Sequence, residues 1–140
     1  MATLKIVKFG DDMLRKVCRP VDEITPRIKM LLDDMIDTMR AAVGCGLAAP
    51  QVGVLRRIAV IEVEEGKVYE LINPKIIAFS GEQREQEGCL SNPGKYGTVT
   101  RPAKVTAIKK MIITTLPPGI CANTFGRKIN IRPGPPEVIC

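Results

Sequence analysis

A chain of 140 residues with 45% hydrophobic content can bury one real core, which excludes disorder throughout and makes a single domain the natural reading. Aromatic residues make up only 4% and Trp is absent, so Ile, Val, Leu and Met must fill that core. The net charge of +6 is uneven: residues 107–140 carry five basic side chains (Lys109, Lys110, Arg127, Lys128, Arg132) against Glu137, while residues 1–106 are close to balanced.

That basic tail holds a single aromatic residue, Phe125, and offers no stacking platform. A solvated segment is therefore the better reading, and nucleic acid is not expected as a partner. Five cysteines, at positions 18, 45, 89, 121 and 140, form no CxxC pair. The opening "MATLKIVKFG" has no long apolar core, so reduced thiols in the cytoplasm are expected rather than a disulfide scaffold behind a signal peptide. No run approaches the length of a membrane span, and no membrane contact is expected.

In chain order, the clearest element begins at Thr25-Pro26. Thr25 can cap a helix and Pro26 suits its first position. Ile28, Leu31, Leu32, Met35, Met39 and Val43 recur at steps of three and four, with Asp33, Asp34, Asp37 and Arg40 on the other face. Met30, Met35 and Met39 read as core or gap-filling residues. Gly44 or Gly46 is expected to end the helix in a left-handed conformation. Three β-rich runs follow, "RIAVIEV" (57–63), "VYELI" (68–72) and "KIIAF" (75–79), separated by turns at Glu65-Gly66-Lys67 and Asn73-Pro74. Beyond a Pro93-Gly94 turn, "YGTVTRPAKVTAIKKMIITT" continues as strands broken at Pro102. One helix followed by several strands predicts an α+β domain. Residues 117–140 hold five of the eleven prolines and no sustained period, so an irregular segment is expected there.

Two stretches carry the chemistry. "GCGLAAPQVG" (44–53) has glycines that let a backbone turn tightly or let a ligand approach, and Gln51 supplies both a donor and an acceptor. "QEGCLSNPG" (86–94) presents Cys89, which by itself could be a metal ligand, a nucleophile or filler. The first two uses ordinarily need an imidazole, and this chain contains no histidine.

"GCGLAAPQ" followed some forty residues later by "EGCLS" closely resembles the first two signature motifs of the peptide deformylases. The opening "IVKFGDDMLRKVCRPV" and the later "GKYGTVTRP" extend the resemblance over residues 1–106, with 107–140 a divergent basic, Pro-rich segment of the same domain. The resemblance implies a central helix with a mixed, mainly antiparallel sheet. It also implies a metal-dependent hydrolase, using iron(II) or another divalent ion, that removes the formyl group from the N-terminal Met of new proteins. Carried onto this chain, Cys89 would be a metal ligand, and the Leu90 backbone N–H and the Gln51 side chain would donate to the oxyanion. Gly44, Gly46 and Leu47 would line the groove for N-formyl-Met peptides or nascent chains, Gly46 through backbone hydrogen bonds to an added strand. Glu87 and Arg101 match charged positions that support the site in the family, beside the plainer reading of a surface pair. Asn92 departs from the apolar residue usual after "CLS".

The family's third motif, HExxH on a helix, is missing. Aligning "GICANTFGRKINIRPG" (119–134) through Phe125 puts Arg127 and Ile131 on the two histidine positions and Lys128 on the glutamate. A guanidinium repels a divalent cation and an aliphatic side chain cannot ligate one. Lys128 is a poor substitute for a carboxylate base, and Cys121 and Cys140 match no zinc spacing. The expectation is therefore a deformylase homologue with impaired catalysis. A non-catalytic binder of formyl-Met peptides and a decayed gene product stand as alternatives.

Overall fold

The computed structural model describes residues 2–109 and 112–116, and the remainder, including Arg127, Lys128 and Ile131, lies outside the described residues. Helix α1 spans Pro26–Ala41. Thr25 caps it, its Oγ1 accepting the Ile28 N–H at 3.4 Å, and Pro26 opens the first turn. Leu32, Met35 and Met39 are buried as the three- and four-residue spacing predicts. Met30 is 66% exposed, contrary to expectation. It lies about 140° round the helix from Met35, so the other two methionines turn it towards solvent.

The helix does not end on a glycine. Val43 takes the left-handed conformation, with φ 55°. Its N–H donates to the Arg40 carbonyl at 3.0 Å and the Gly44 N–H to Met39 at 2.9 Å, the pair of bonds that defines a Schellman closure. Gly44 is required for space instead, because Leu90 packs against it.

The strands are β1 (Gly46–Ala48), β2 (Ile58–Glu62), β3 (Val68–Ile72), β4 (Lys75–Ser80), β5 (Gln83–Cys89), β6 (Asn92–Arg101), β7 (Lys104–Lys109) and β8 (Ile112–Leu116). They form sheets ordered β1-β2-β3 and β4-β7-β8 and the hairpin β5-β6, every ladder antiparallel. The parallel pairing implied by a mixed sheet is confined, among the described residues, to an isolated bridge between Arg19 and Arg56. This is an α+β fold. Strand β7 runs through residues 106 and 107, where the sequence suggested a boundary.

Strand β2 organises the core. Ile58 and Val60 pack with Leu32, Met35 and Met39 of α1, while Ala59 and Ile61 pack on the opposite face with Leu71 and Ala107. One buried strand thus joins the helix layer to the sheet that carries β7. The turn before β4 is fixed by Asn73 at φ 50°, whose side chain accepts the Val21 N–H at 2.8 Å and donates to the Val21 carbonyl at 2.7 Å.

The β5-β6 hairpin corrects two expectations. Strand β5 has no counterpart among the runs read from the sequence, and the turn lies at Leu90-Ser91 rather than Pro93-Gly94. Cys89 pairs with Asn92 but Gly88 with Tyr96, so Pro93, Gly94 and Lys95 bulge out of the ladder. A proline has no N–H to give the ladder, and Gly94 supplies the positive φ, 75°, that the bulge needs.

Candidate functional site

Three consecutive pieces make up "GCGLAAPQVG". Gly44 follows the helix closure, Gly46–Ala48 form β1, and Ala49–Val52 make a 3-10 turn closed by Gly53 at φ 80°. The turn brings Gln51 back beneath the strand, where it is 7% exposed. Its Oε1 accepts the Ala48 N–H at 3.0 Å, and its Nε2 donates to Ser91 Oγ at 3.1 Å and to Cys89 Sγ at 3.7 Å. A buried amide must be partnered at both ends, and this one is held in a single orientation by both motifs at once.

Strand β1 is an edge: its neighbour on one side is β2, and no described strand pairs on the other. The Glu62 N–H donates to the Cys45 carbonyl at 3.0 Å, which fixes the phase of the ladder. Hydrogen-bonded and non-hydrogen-bonded pairs alternate along antiparallel strands. Gly46, opposite Ile61, is therefore a non-hydrogen-bonded position, and its N–H and C=O face the open edge. Leu47 is fully buried and supports the strand from beneath.

The Cys89–Ser91 stretch sits at the tip of the β5-β6 hairpin. Ser91, 3% exposed, donates its N–H to Cys89 Sγ at 3.3 Å. Leu90 packs against the α1-facing core, directly over Gly44. A Cβ on Gly44 would come within 2.6 Å of Leu90 Cδ1, so the glycine makes room for the leucine. At Gly88 a Cβ would come within 2.9 Å of the Tyr96 ring, which covers that glycine across the strands.

Glu87 and Arg101 meet on the same hairpin. Arg101 Nε donates to Glu87 Oε1 at 3.3 Å and Nη2 to Oε2 at 3.2 Å, a two-pronged contact with side chains 16% and 12% exposed. The pair is thus largely shielded, two residues before Cys89 on β5.

Sequence reasoning missed the opening segment. The Val7 N–H donates to the Gln51 carbonyl at 2.7 Å, the Phe9 N–H to the Ser91 carbonyl at 2.7 Å, and Lys8 Nζ to the Leu90 carbonyl at 3.2 Å. Backbone amides carry no residue signature, so "IVKFG" could be matched but not assigned contacts. Ser91 was visible as the last letter of "EGCLS".

Among the described residues the donor set for a metal is incomplete. Cys89 contributes one sulfur, which is disulfide-bonded in this structure, so any ligation concerns its reduced thiolate. Cys18 and Cys45 are free thiols, and burial raises the pKa of Cys18 against a smaller lowering by Arg57. No group of three His, Cys, Asp or Glu side chains converges among the described residues, and the chain has no imidazole at all. One thiolate does not fit the tetrahedral or higher coordination of a catalytic divalent ion. The described residues also contain no helix long and apolar enough to cross a membrane.

An edge strand, a buried amide and a cysteine-bearing hairpin tip thus lie together in one α+β fold beside helix α1. The polypeptide deformylase family model matches residues 3–110, and the chain belongs to that family. It is 58% identical over 107 residues to a peptide deformylase of Agathobacter rectalis, covering 76% of this chain and 67% of that protein. To one of Acetivibrio thermocellus it is 59% identical over 105 residues, covering 75% of this chain and 61% of that protein. The matched stretch thus spans roughly two thirds of these relatives' length. Among solved structures, a peptide deformylase from Legionella pneumophila superposes with a TM-score of 0.77 at 39% identity, covering 83% of this chain and 73% of that one. One from Ehrlichia chaffeensis, in complex with actinonin, gives a TM-score of 0.76 at 36% identity, over 83% of this chain and 74% of that one.

Proposed function

We propose that this chain is a peptide-deformylase homologue that keeps the recognition half of the site and has impaired hydrolysis. The observation that carries this reading is the Gln51–Cys89–Ser91 cluster, intact in a chain without histidine. In this reading Gln51 Nε2 and the Leu90 N–H are the donors for a developing oxyanion. Gln51 would release one of its present acceptors to take the substrate oxygen. Glu87 and Arg101 hold β5 and β6 together next to Cys89. In the sequence alignment through Phe125, Arg127 and Ile131 fall on the two histidine positions and Lys128 on the glutamate of the third motif, so the chain supplies neither the imidazoles nor the carboxylate base. The ligands present do not fit a divalent ion, so they give a metal-assisted hydrolytic step no support. The setting is cytoplasmic protein biosynthesis, with formylated nascent chains as the natural substrate class.

The test is turnover of a formyl-Met tripeptide by the reduced protein with added Fe2+, Co2+, Ni2+ or Zn2+, beside Cys89→Ala. Loss of a general base alone costs about 100-fold or more in rate, so turnover at or below that fraction of a full family member's is expected. Metal-dependent turnover near the family's rate that Cys89→Ala abolishes would overturn the proposal.

The open β1 edge favours a second reading, a binder of formyl-Met peptides without chemistry. Gly46 offers one N–H and one C=O to an added strand. Calorimetry with formylated and free Met peptides distinguishes it: a preference for the formylated form supports binding, and equal or no heat removes it.

A further inference from the structure

Residues Val7 to Phe9 make three hydrogen bonds to three different residues of the two motifs, one to Gln51, one to Leu90 and one to Ser91. The geometry follows from an extended chain, in which amides two residues apart point the same way. Val7 and Phe9 therefore both face the site, and Lys8 adds its ammonium to the carbonyl between their targets. On its outer side the segment borders an open cavity of about 570 Å³ lined by Lys5, Val7, Phe9 and Val52 among others, and the Phe9 side chain is 53% exposed. Packing is thin there, so hydrogen bonds hold the segment in place.

We propose that Val7–Phe9 is a strap that sets the register between the Gln51 turn and the Leu90-Ser91 turn, with Lys8 as its positioning side chain. The strap fixes carbonyls whose peptide units flank the groups that matter. The Gln51 carbonyl anchors the backbone from which the buried amide projects. The Leu90 and Ser91 carbonyls anchor the hairpin tip that carries Cys89 and the Leu90 N–H. Beside the strap, the described polar contacts between the motifs run through the Gln51 side chain to Ser91 and Cys89, next to the packing of Leu90 on Gly44. Lys8 closes this loop from solvent, and its ammonium to a carbonyl is a charge-assisted bond. The value of this register to a peptide ligand rests on the function proposed above, whereas the strap itself can be tested without any ligand.

Lys8 is exposed and can be replaced without opening the core. The experiment is amide hydrogen exchange and 15N NMR on the full chain, comparing wild type with Lys8→Met and Lys8→Arg. In Lys8→Met the Val7 and Phe9 amides should exchange about fivefold faster, the factor expected for one lost hydrogen bond. The Gln51 side-chain amide and the Ser91 N–H resonances should move, the amides of α1 should not change, and Lys8→Arg should restore the wild-type pattern. Unchanged exchange at Val7 and Phe9 in Lys8→Met would overturn the proposal, as would unprotected amides there in wild type. Titration of wild type with formyl-Met peptide separates the two claims. If no peptide binds and Lys8→Met still loosens the strap, the binding reading falls and the positioning role stands.

Discussion

Gly44, Gln51 and Leu90 show how little room single positions leave around the site. Gly44 has an ordinary backbone conformation, so its constraint is steric: Leu90 Cδ1 occupies the place of a methyl group. Gly44→Ala should force Leu90 into another rotamer, costing about 1–3 kcal/mol as overpacking does. Urea unfolding reads that cost, and displaced Leu90 methyl resonances identify where it falls. Gln51 makes the opposite case. Gln51→Leu preserves bulk but strips partners from the Ala48 N–H and from the buried Ser91 hydroxyl. A loss of about 1–3 kcal/mol follows from orphaned polar groups, measurable in the same denaturation experiment. Equal stability of Gln51→Leu and wild type would mean that the cluster is not held as described.

Among the elements, the end of helix α1 and the adjoining end of strand β2 respond differently to substitution and pH. Val43 is a β-branched residue held at φ 55° with 94% of its surface exposed, so it strains the helix end and buries nothing in return. Val43→Gly should stabilise the chain by about 0.5–1 kcal/mol, a rise of a few degrees in Tm. Arg40, one turn earlier, grips Glu62 through two hydrogen bonds of 2.7 Å, and Glu62 also accepts the Gly66 N–H at 2.9 Å. The Arg40 guanidinium, then that amide, lower the Glu62 pKa from 4.5 to about 2. A carboxylate with a depressed folded pKa stabilises above its unfolded pKa and loses that contribution as pH falls through the folded one. The stability difference between wild type and Glu62→Gln should thus be full above pH 4.5 and fade towards pH 2, which urea titrations across that range would follow. A difference independent of pH would mean that Glu62 acts by shape alone.

These elements also show what the sequence could say. Helix α1 and strands β2, β3 and β4 were legible because periodic apolar residues and turn-forming pairs marked them from both sides. Strand β5, reading QREQEGC, exposes most of its side chains and so has no apolar alternation to detect. The helix end was misplaced because the left-handed position is filled by Val43, the residue type least expected there, with two glycines close by. At the site, Gln51 and Cys89 were singled out and do meet, whereas the strap that orders them acts through main-chain amides.

At the scale of the whole molecule, both halves of the site pack on the α1-facing core, and strand β2 joins that layer to the β7-facing one. The Gln51 turn continues from β1, which pairs with β2, and the α1-facing core lies beneath it. On the other face of β2, Ala59 and Ile61 meet Leu71 and Ala107, tying in β7 and hence the β4-β7-β8 sheet. If this shared strand makes the described fold one cooperative unit, a cavity on one face should weaken both. Ile61, 1% exposed, is the residue to cut, because its side chain belongs to the β7-facing cluster. Ile61→Ala should cost about 2–5 kcal/mol, a large fraction of any domain's net stability. The milder Ile61→Val, at about 0.5–1.5 kcal/mol, keeps the chain folded for hydrogen exchange. In a single unit the slowest amides of α1 and of β7 lose protection equally in Ile61→Val. Loss confined to β7 would instead make the helix layer, with the Gln51 turn, an independently stable half.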